Sequence, residues 1–117
     1  MPKKWLDIPA RKGEGYLTGQ LLIATPQIQF SCFHHAVVYV CAHSEQGAMG
    51  VIINQPLPEY SMDQIYEYLK IDASEVTAQI PIHFGGPVDG NRGMVLHSAE
   101  YVSPGMLCVD DKVALST

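Results

Sequence analysis

No complete catalytic signature occurs in the 117 residues of the chain. The Gly-x-Ser-x-Gly turn of serine hydrolases and the His-Glu-x-x-His helix of zinc proteases are both absent. Cys41 and Cys108 lie within apolar runs, where a buried thiol is a poor nucleophile. These absences leave catalysis uncertain and favour a protein that is not an enzyme.

Cysteine is scarce, and long apolar runs are missing. The three cysteines are odd in number and have no paired spacing, which predicts reduced thiols in a cytoplasm. No apolar run approaches the ~20 residues that a membrane-spanning helix requires. The residues after Lys3 and Lys4 lack the apolar stretch of a secretory signal. We therefore expect a cytoplasmic protein without a membrane segment.

Basic residues are few and scattered. Seven basic residues stand against twelve acidic ones, which gives a net charge of −5. Nucleic-acid binding relies on clustered positive charge, so this pattern makes nucleic acid an unlikely partner. Five histidines are present, but Cys32-x-His34 and Cys41-x-His43 do not match the ligand spacing of common zinc sites. We expect no metal and no cofactor.

The stretch 36–56 is the most informative part of the sequence. Residues 37–42 are apolar without polar alternation, which is typical of a strand covered on both faces. Residues 51–53 are β-branched and apolar, and Pro56 cannot continue a ladder inside a sheet. The short segment 44–50 joins the two runs. We predict a central hairpin whose polar ends, His43 and Asn54, meet at a common rim.

The remaining pattern predicts one α+β domain over residues 19–117, preceded by an N-terminal arm over residues 1–18. Ser61 and Gln64 have the spacing of a capping box, which predicts a helix over 62–70. Met62, Ile65 and Leu69 belong to an apolar stripe along that helix. Short apolar runs predict further strands at residues 21–24, 80–84, 94–97, 107–109 and 113–115.

Several short motifs follow one another in a fixed order: Gly47-Ala-Met-Gly50, Ile53-Asn54 with Pro56, Gly85-Gly-Pro-Val88, Arg92-Gly93 and Leu96-His97. In this order they resemble the YqgE/AlgH family of uncharacterised bacterial proteins. The resemblance implies a branched mixed sheet, part of it closed into a small barrel, flanked by helices. Family members are longer, so the chain resembles their N-terminal two thirds. The family name includes a proposed regulator of alginate synthesis, but the resemblance implies no established reaction.

A set of polar and glycine residues follows the ends of predicted strands, where ligand groups often gather. The candidate ligand-binding residues are His43, Asn54, Gly85, Gly86, Arg92 and His97. If they converge, Arg92 and the glycine N–H groups could bind an anion, and a histidine could move a proton. Alternatively, His43 and Asn54 cap the hairpin and the glycines permit turns.

Three functions follow from these observations. The first is a domain that binds a partner protein or a small molecule, with a role in regulation. The second is a hydrolase or proton-transfer enzyme that uses His43 or His97 with Arg92 and the Gly85–Gly86 loop. The third is a transcriptional regulator, which the acidic and patch-free charge disfavours. The oligomeric state, the ligand and the specific partner stay open.

Overall fold

The computed structural model describes residues 9–29, 31–75, 79–88 and 92–117. Within these residues the chain forms eight strands and one helix. In chain order they are β1 (Lys12–Gly13), β2 (Tyr16–Leu17), β3 (Leu21–Ile23), β4 (Val37–Ser44), β5 (Gly47–Ile52), α1 (Met62–Tyr68), β6 (Val95–Ser98), β7 (Leu107–Cys108) and β8 (Val113–Ser116).

The predicted central hairpin is confirmed. Strands β4 and β5 pair antiparallel, and β4 lies between β3 and β5 in a three-stranded sheet. Ser44 pairs with Gly47, so Glu45 and Gln46 form a two-residue turn. The register shifts between Val40 and Ala42, which is a β-bulge at Cys41.

The two faces of this hairpin have different partners. Tyr39, Cys41 and Val51 form one buried cluster with Val109 and Leu115, which belong to the β6–β8–β7 part of the chain. This contact joins the second three-stranded sheet to the central one. Apolar residues on the other face, including Val38 and Ile52, remain for a different contact. The absence of polar alternation in β4 therefore reflects apolar surroundings on both sides.

The sheet architecture corrects the expectation drawn from the resemblance. Named strands pair only antiparallel in the described part of the chain, in sheets of two, three and three strands. These sheets are not fused into one branched mixed sheet, and none of them closes into a barrel. One short helix is present among the described residues rather than a flanking layer of helices. The coarser α+β description holds, with β structure predominant.

Part of the predicted N-terminal arm is a hairpin. Strands β1 and β2 pair across a turn at Glu14 and Gly15, and the main chain of Arg11 donates to the His43 carbonyl oxygen at 3.2 Å. Residues 9–18 are thus attached to β4, while residues 1–8 lie outside the described residues. Strands as short as β1 and β2 leave little periodicity in the sequence, so the arm gave no signal for this hairpin.

Helix α1 begins as predicted, but it buries nothing. The Ser61 hydroxyl accepts from the Gln64 N–H at 3.3 Å, and the Gln64 side chain accepts from the Ser61 N–H at 3.0 Å. Ile65 and Leu69 are nevertheless 37% and 56% exposed, and no residue of α1 is buried. At seven residues this helix is far too short to cross a membrane, and the described residues contain no other candidate.

The predicted strand at residues 80–84 is wrong as a ladder strand. His83 forms only an isolated bridge with Pro56. Hydrogen bonds nevertheless hold this segment beside residues 52–57, because the Phe84 N–H donates to the Gln55 carbonyl oxygen at 2.8 Å. Prolines on both segments remove donors that a continuous ladder would need. The result is an extended segment that positions Gly85 and Gly86.

Candidate functional site

An apolar groove of about 240 Å³ lies along β5, an edge strand of the central sheet, and beside Val38 of β4; two of its lining residues, Met49 and Met94, also pack against the buried cluster. Its floor comes from the two strands, and its walls come from the segment around Gly85–Gly86 and from Met94. The lining residues are Phe33, Val38, Ala48, Met49, Gly50, Ile52, Gly85, Gly86, Pro87, Val88 and Met94. None of them carries a charged or hydrogen-bonding polar side chain. The groove therefore suits an uncharged, apolar group.

Backbone hydrogen bonds hold the glycine wall in place. The Ile52 N–H donates to the Gly85 carbonyl oxygen at 2.8 Å, and the Leu57 N–H donates to the Ile82 carbonyl oxygen at 2.8 Å. Gly86 has a φ of +144°, a conformation that favours glycine. A Cβ added at Gly85 would meet no atom within 4 Å. Hydrogen bonds therefore fix the main chain of this wall, and space remains where a side chain at position 85 would begin.

Of the six predicted site residues, the groove contains Gly85 and Gly86. Arg92 is exposed and does not line the groove. An anion held by Arg92 and the glycine N–H groups is therefore a poor match to this surface, because the apolar walls offer a charge no compensation.

His43 and Asn54 lie at opposite ends of the hairpin. His43 pairs with Ala48 beside the turn, whereas Asn54 follows the end of β5 that pairs with the start of β4. His43 is six positions further along β4 than Val37, which corresponds to roughly 20 Å along a strand. The predicted common rim for these two side chains is therefore wrong. In an antiparallel hairpin the end of the second strand lies beside the start of the first strand and far from the end of the first strand.

Asn54 and His43 each form hydrogen bonds with main-chain groups that lie close to them in the fold. Asn54 accepts from the Val37 N–H at 2.8 Å and donates to the His35 carbonyl oxygen at 2.9 Å, which closes the open end of the hairpin. His43 Nδ1 accepts from the Leu17 N–H at 2.9 Å, and its ring meets Tyr16 edge to face at 5.2 Å. The alternative interpretation, in which both residues cap the hairpin, describes the contacts of Asn54 but not those of His43, whose imidazole binds the main chain of β2.

His97 lies in the second three-stranded sheet, away from the groove lining. Its Nδ1 is 2.8 Å from the Ser98 carbonyl oxygen, and its Nε2 is 2.7 Å from the Ser116 hydroxyl. Ser103 Oγ is 3.4 Å from Ser116 Oγ, and the Tyr101 ring packs edge to face on the imidazole at 5.7 Å. Neither Ser103 nor Ser116 was predicted as a site residue, although Ser116 ends the short apolar strand β8.

The groove itself was also missed. Val38, Met49 and Met94 come from segments far apart in the sequence, and only the glycines of the wall were chosen beforehand. Alternation along β4 and β5 could have placed Val38 and Ile52 on one face, but it could not have indicated what covers that face. Among the described residues, no three His, Cys, Asp or Glu side chains are grouped as metal ligands.

Cys41 should be unreactive in the folded chain, whereas Cys108 should react readily. The Cys41 side chain is fully buried, and burial raises the pKa of its thiol from 9.0 to about 11. With iodoacetamide at pH 8, we expect alkylation of exposed Cys108 and none of Cys41 until denaturant is added. Peptide mass spectrometry measures both, and rapid native labelling of Cys41 would contradict the buried bulge.

The raised pKa of the Cys41 thiol predicts that the folded chain loses stability at alkaline pH. The folded state holds the Cys41 proton more tightly than the unfolded state does. The resulting contribution to the free energy of unfolding is complete below pH 9 and is lost as the pH rises towards 11. Burial, and secondarily the Asp110 carboxylate, also raise the pKa of the Tyr39 phenol in the same cluster. Urea unfolding at a series of pH values should show this decline, and a Cys41→Ala control should show a smaller one.

Comparison with known proteins agrees with the motif pattern. The family model described as AlgH-like (DUF179) matches residues 21–117. A UPF0301 protein of Rhodospirillum rubrum is 43% identical over 106 residues, which cover 91% of this chain and 55% of that protein. A UPF0301 protein of Gluconobacter oxydans is 44% identical over 101 residues, which cover 86% of this chain and 54% of that protein.

A solved structure shares the fold. The solution structure of the AlgH protein from Pseudomonas aeruginosa aligns with a TM-score of 0.70 and 34% sequence identity. The alignment covers 92% of this chain and 57% of that one. The chain therefore spans just over half the length of the relatives that it matches. By the extent of the family match and by its identity to these relatives, the chain belongs to the AlgH-like family.

Proposed function

We propose that this chain is a cytoplasmic binding domain that takes an apolar side chain of a partner protein into the groove beside Gly85 and Gly86. The observation that carries the proposal is the combination of groove size and lining. A cavity of ~150 Å³ lined by apolar side chains can hold benzene, so about 240 Å³ is sufficient for one large apolar side chain. Pockets for whole small molecules are usually larger, at ~300–1,000 Å³.

The surroundings of the groove favour a protein over a free small molecule. Phe33 and Val88 line the groove yet remain exposed. These side chains extend the apolar surface beyond the groove itself. Anchoring side chains in protein interfaces sit in such pockets and are surrounded by further apolar contacts. Binding of this kind needs no catalytic group at the site, which suits a role in regulation.

The cytoplasmic assignment rests on the thiols. All three cysteines are free, and one of them, Cys108, is exposed. Free thiols of this kind are usual where the surroundings are reducing. The acidic composition, with a net charge of −5, supports a protein partner rather than a nucleic acid.

Methionine methyl groups give a direct test of the groove. In a chain with ¹³C-methyl methionine, N-acetylphenylalaninamide should shift the Met49 and Met94 signals in a saturable manner, with a dissociation constant on the order of 1 mM or below. Met62 on α1 and Met106 lie outside the groove lining and serve as internal controls. N-acetylalaninamide should shift the groove signals far less, because it fills little of the space.

A matched pair of variants completes the experiment. Gly85 lines the groove and a Cβ there would meet no atom within 4 Å, so Gly85→Leu adds a bulky side chain at the groove wall without a clash and should weaken the response strongly. Gly93→Leu adds the same side chain in open space outside the groove lining and should leave the response unchanged. Equal shifts at these four methionines, or a response as strong in Gly85→Leu as in the wild-type chain, would refute the proposal.

A further inference from the structure

Strands β6 and β8 bring a hydroxyl and an imidazole together outside the groove. His97 pairs with Ala114, so Ser116, two residues further along β8, lies on the same face of the sheet. The diagonal between these positions is short enough for the side chains to meet, and Ser116 Oγ is 2.7 Å from His97 Nε2. Both side chains are half-buried and keep some access to solvent.

The second ring nitrogen fixes the direction of this hydrogen bond. His97 Nδ1 lies 2.8 Å from the Ser98 carbonyl oxygen, which can only accept. In the neutral ring the proton therefore sits on Nδ1, and Nε2 is an acceptor. The Ser116 hydroxyl consequently donates to Nε2, which is the arrangement of a nucleophile beside its base.

Ser103 adds a second hydroxyl at the same place. Because the Ser116 proton points to His97, the contact of 3.4 Å between the two serine oxygens has Ser103 as its donor. If Ser116 Oγ attacked the carbonyl carbon of a substrate, the carbonyl oxygen of that substrate would lie within hydrogen-bonding reach of the Ser103 hydroxyl. Such a donor stabilises negative charge as it develops there.

We propose that Ser116 is a nucleophile activated by His97, and that this site accepts an acyl group from an ester. Ser116 Oγ forms a bond to the carbonyl carbon while its proton passes to His97 Nε2. The Nδ1–H group stabilises the resulting imidazolium through its bond to the Ser98 carbonyl oxygen. The alkoxide leaving group departs with the proton from Nε2, and water then hydrolyses the acyl-serine with His97 again as base.

The partner of Nδ1 indicates which acyl donors fit. In the full triad a carboxylate stabilises the imidazolium, and its loss lowers the rate by about 10⁴. Here a neutral carbonyl oxygen occupies that position. A neutral carbonyl oxygen stabilises the imidazolium less than a carboxylate does, which suits esters with good leaving groups and not peptide bonds. None of these residues lines the groove, so the proposal goes beyond the binding function and does not rest on it.

Labelling with a fluorophosphonate tests the nucleophile on the 117-residue chain. Ser116 Oγ should displace fluoride from phosphorus, and mass spectrometry should find one adduct on the peptide that contains Ser116. Ser116→Ala should remove the adduct. Ser103→Ala should slow its formation without moving it. Labelling that is absent from the wild-type chain, or unchanged in Ser116→Ala, would overturn the proposal.

A second set of variants separates chemistry from structure. His97→Gln keeps an acceptor for the Ser116 hydroxyl but cannot take its proton, so labelling should fall by about 10²-fold or more while the thermal unfolding midpoint changes little. Added imidazole should restore part of the labelling in His97→Ala. His83→Ala is the control, since His83 is exposed and lies outside this cluster. Labelling of Ser116 that does not depend on His97 would also overturn the proposal. Gly85→Leu should label normally, which distinguishes failure here from failure of the groove.

Discussion

Replacing Leu115 by alanine should lower the free energy of unfolding by about 2–5 kcal/mol. The side chain is 1% exposed and is the largest that the structure buries completely among the described residues. It lies on β8, the middle strand of its sheet, and packs with Tyr39 and Val51 of the central hairpin. Truncation therefore removes apolar contact on the surface that joins the two three-stranded sheets, and it leaves a cavity there.

The effect should be large relative to the total stability. The buried cluster has five members, while Leu21, Leu22 and Ile23 of β3 are all exposed, as are Ile65 and Leu69 of the apolar stripe of α1. Small domains have only ~5–15 kcal/mol of net stability, and a domain with this much exposed apolar surface should lie near the lower limit. We expect Leu115→Ala to unfold at a much lower urea concentration and to populate the unfolded state measurably at 25 °C.

Leu69→Ala is the matched control for this experiment. It removes the same atoms from a side chain that is 56% exposed at the end of α1, so the change should stay within about 0.5 kcal/mol. Urea unfolding followed by circular dichroism measures both variants. A similar loss in the two variants would show that Leu115 does not hold the sheets together.

Local patterns in the sequence predicted local structure well. The hairpin over 36–56 and the Ser61–Gln64 capping box were both found, because each depends on residues within a few positions of one another. Strands β6 and β8 were placed within one or two residues of their bounds. The wrong predictions concern contacts between segments that are distant in the sequence. The segment 80–84 has the alternation of a strand but forms only one bridge.

The site shows the same limit. His43 and Asn54 were expected at a common rim, but the antiparallel pairing that a hairpin requires already places them at opposite ends. The groove depends on the approach of Gly85 and Met94 to the hairpin, a contact between distant segments that no periodicity encodes. Gly85 and Gly86 could be chosen because glycine pairs mark a close approach of backbone, which is a local signal. The serine beside His97 depended on strand register, which the sequence leaves open.

Gly50 shows how such a contact between strands constrains the sequence, and Gly50→Ala should destabilise the chain by about 1–3 kcal/mol. Gly50 pairs with Val40, next to the bulge at Cys41. A Cβ at position 50 would lie 2.8 Å from the Tyr39 carbonyl oxygen and 2.9 Å from Val38 Cγ1. Real side chains essentially never approach so closely, so β4 and β5 would have to move apart.

Two effects oppose each other in this substitution, and their sizes decide the outcome. Alanine restricts the unfolded chain, which by itself stabilises a protein by ~0.4–1 kcal/mol where the native backbone accepts it. The contact with the Tyr39 oxygen is with backbone, which cannot turn away as a flexible side chain can. Separation of the strands would also disturb Tyr39 and Val51, which are paired across them in the buried cluster. The steric cost should therefore exceed the entropic gain.

Gly93→Ala provides the comparison that isolates the contact. A Cβ at position 93 would meet no atom within 4 Å, and the backbone there does not have the left-handed conformation that favours glycine. This variant should be unchanged or slightly more stable, because only the entropic effect remains. Urea unfolding gives both free energies, and hydrogen exchange should locate the loss of protection in Gly50→Ala at the amides of Tyr39 and Val51. If Gly50→Ala proved as stable as Gly93→Ala, the close approach of β4 and β5 at this point would be wrong, and the floor of the groove would have to be redrawn with it.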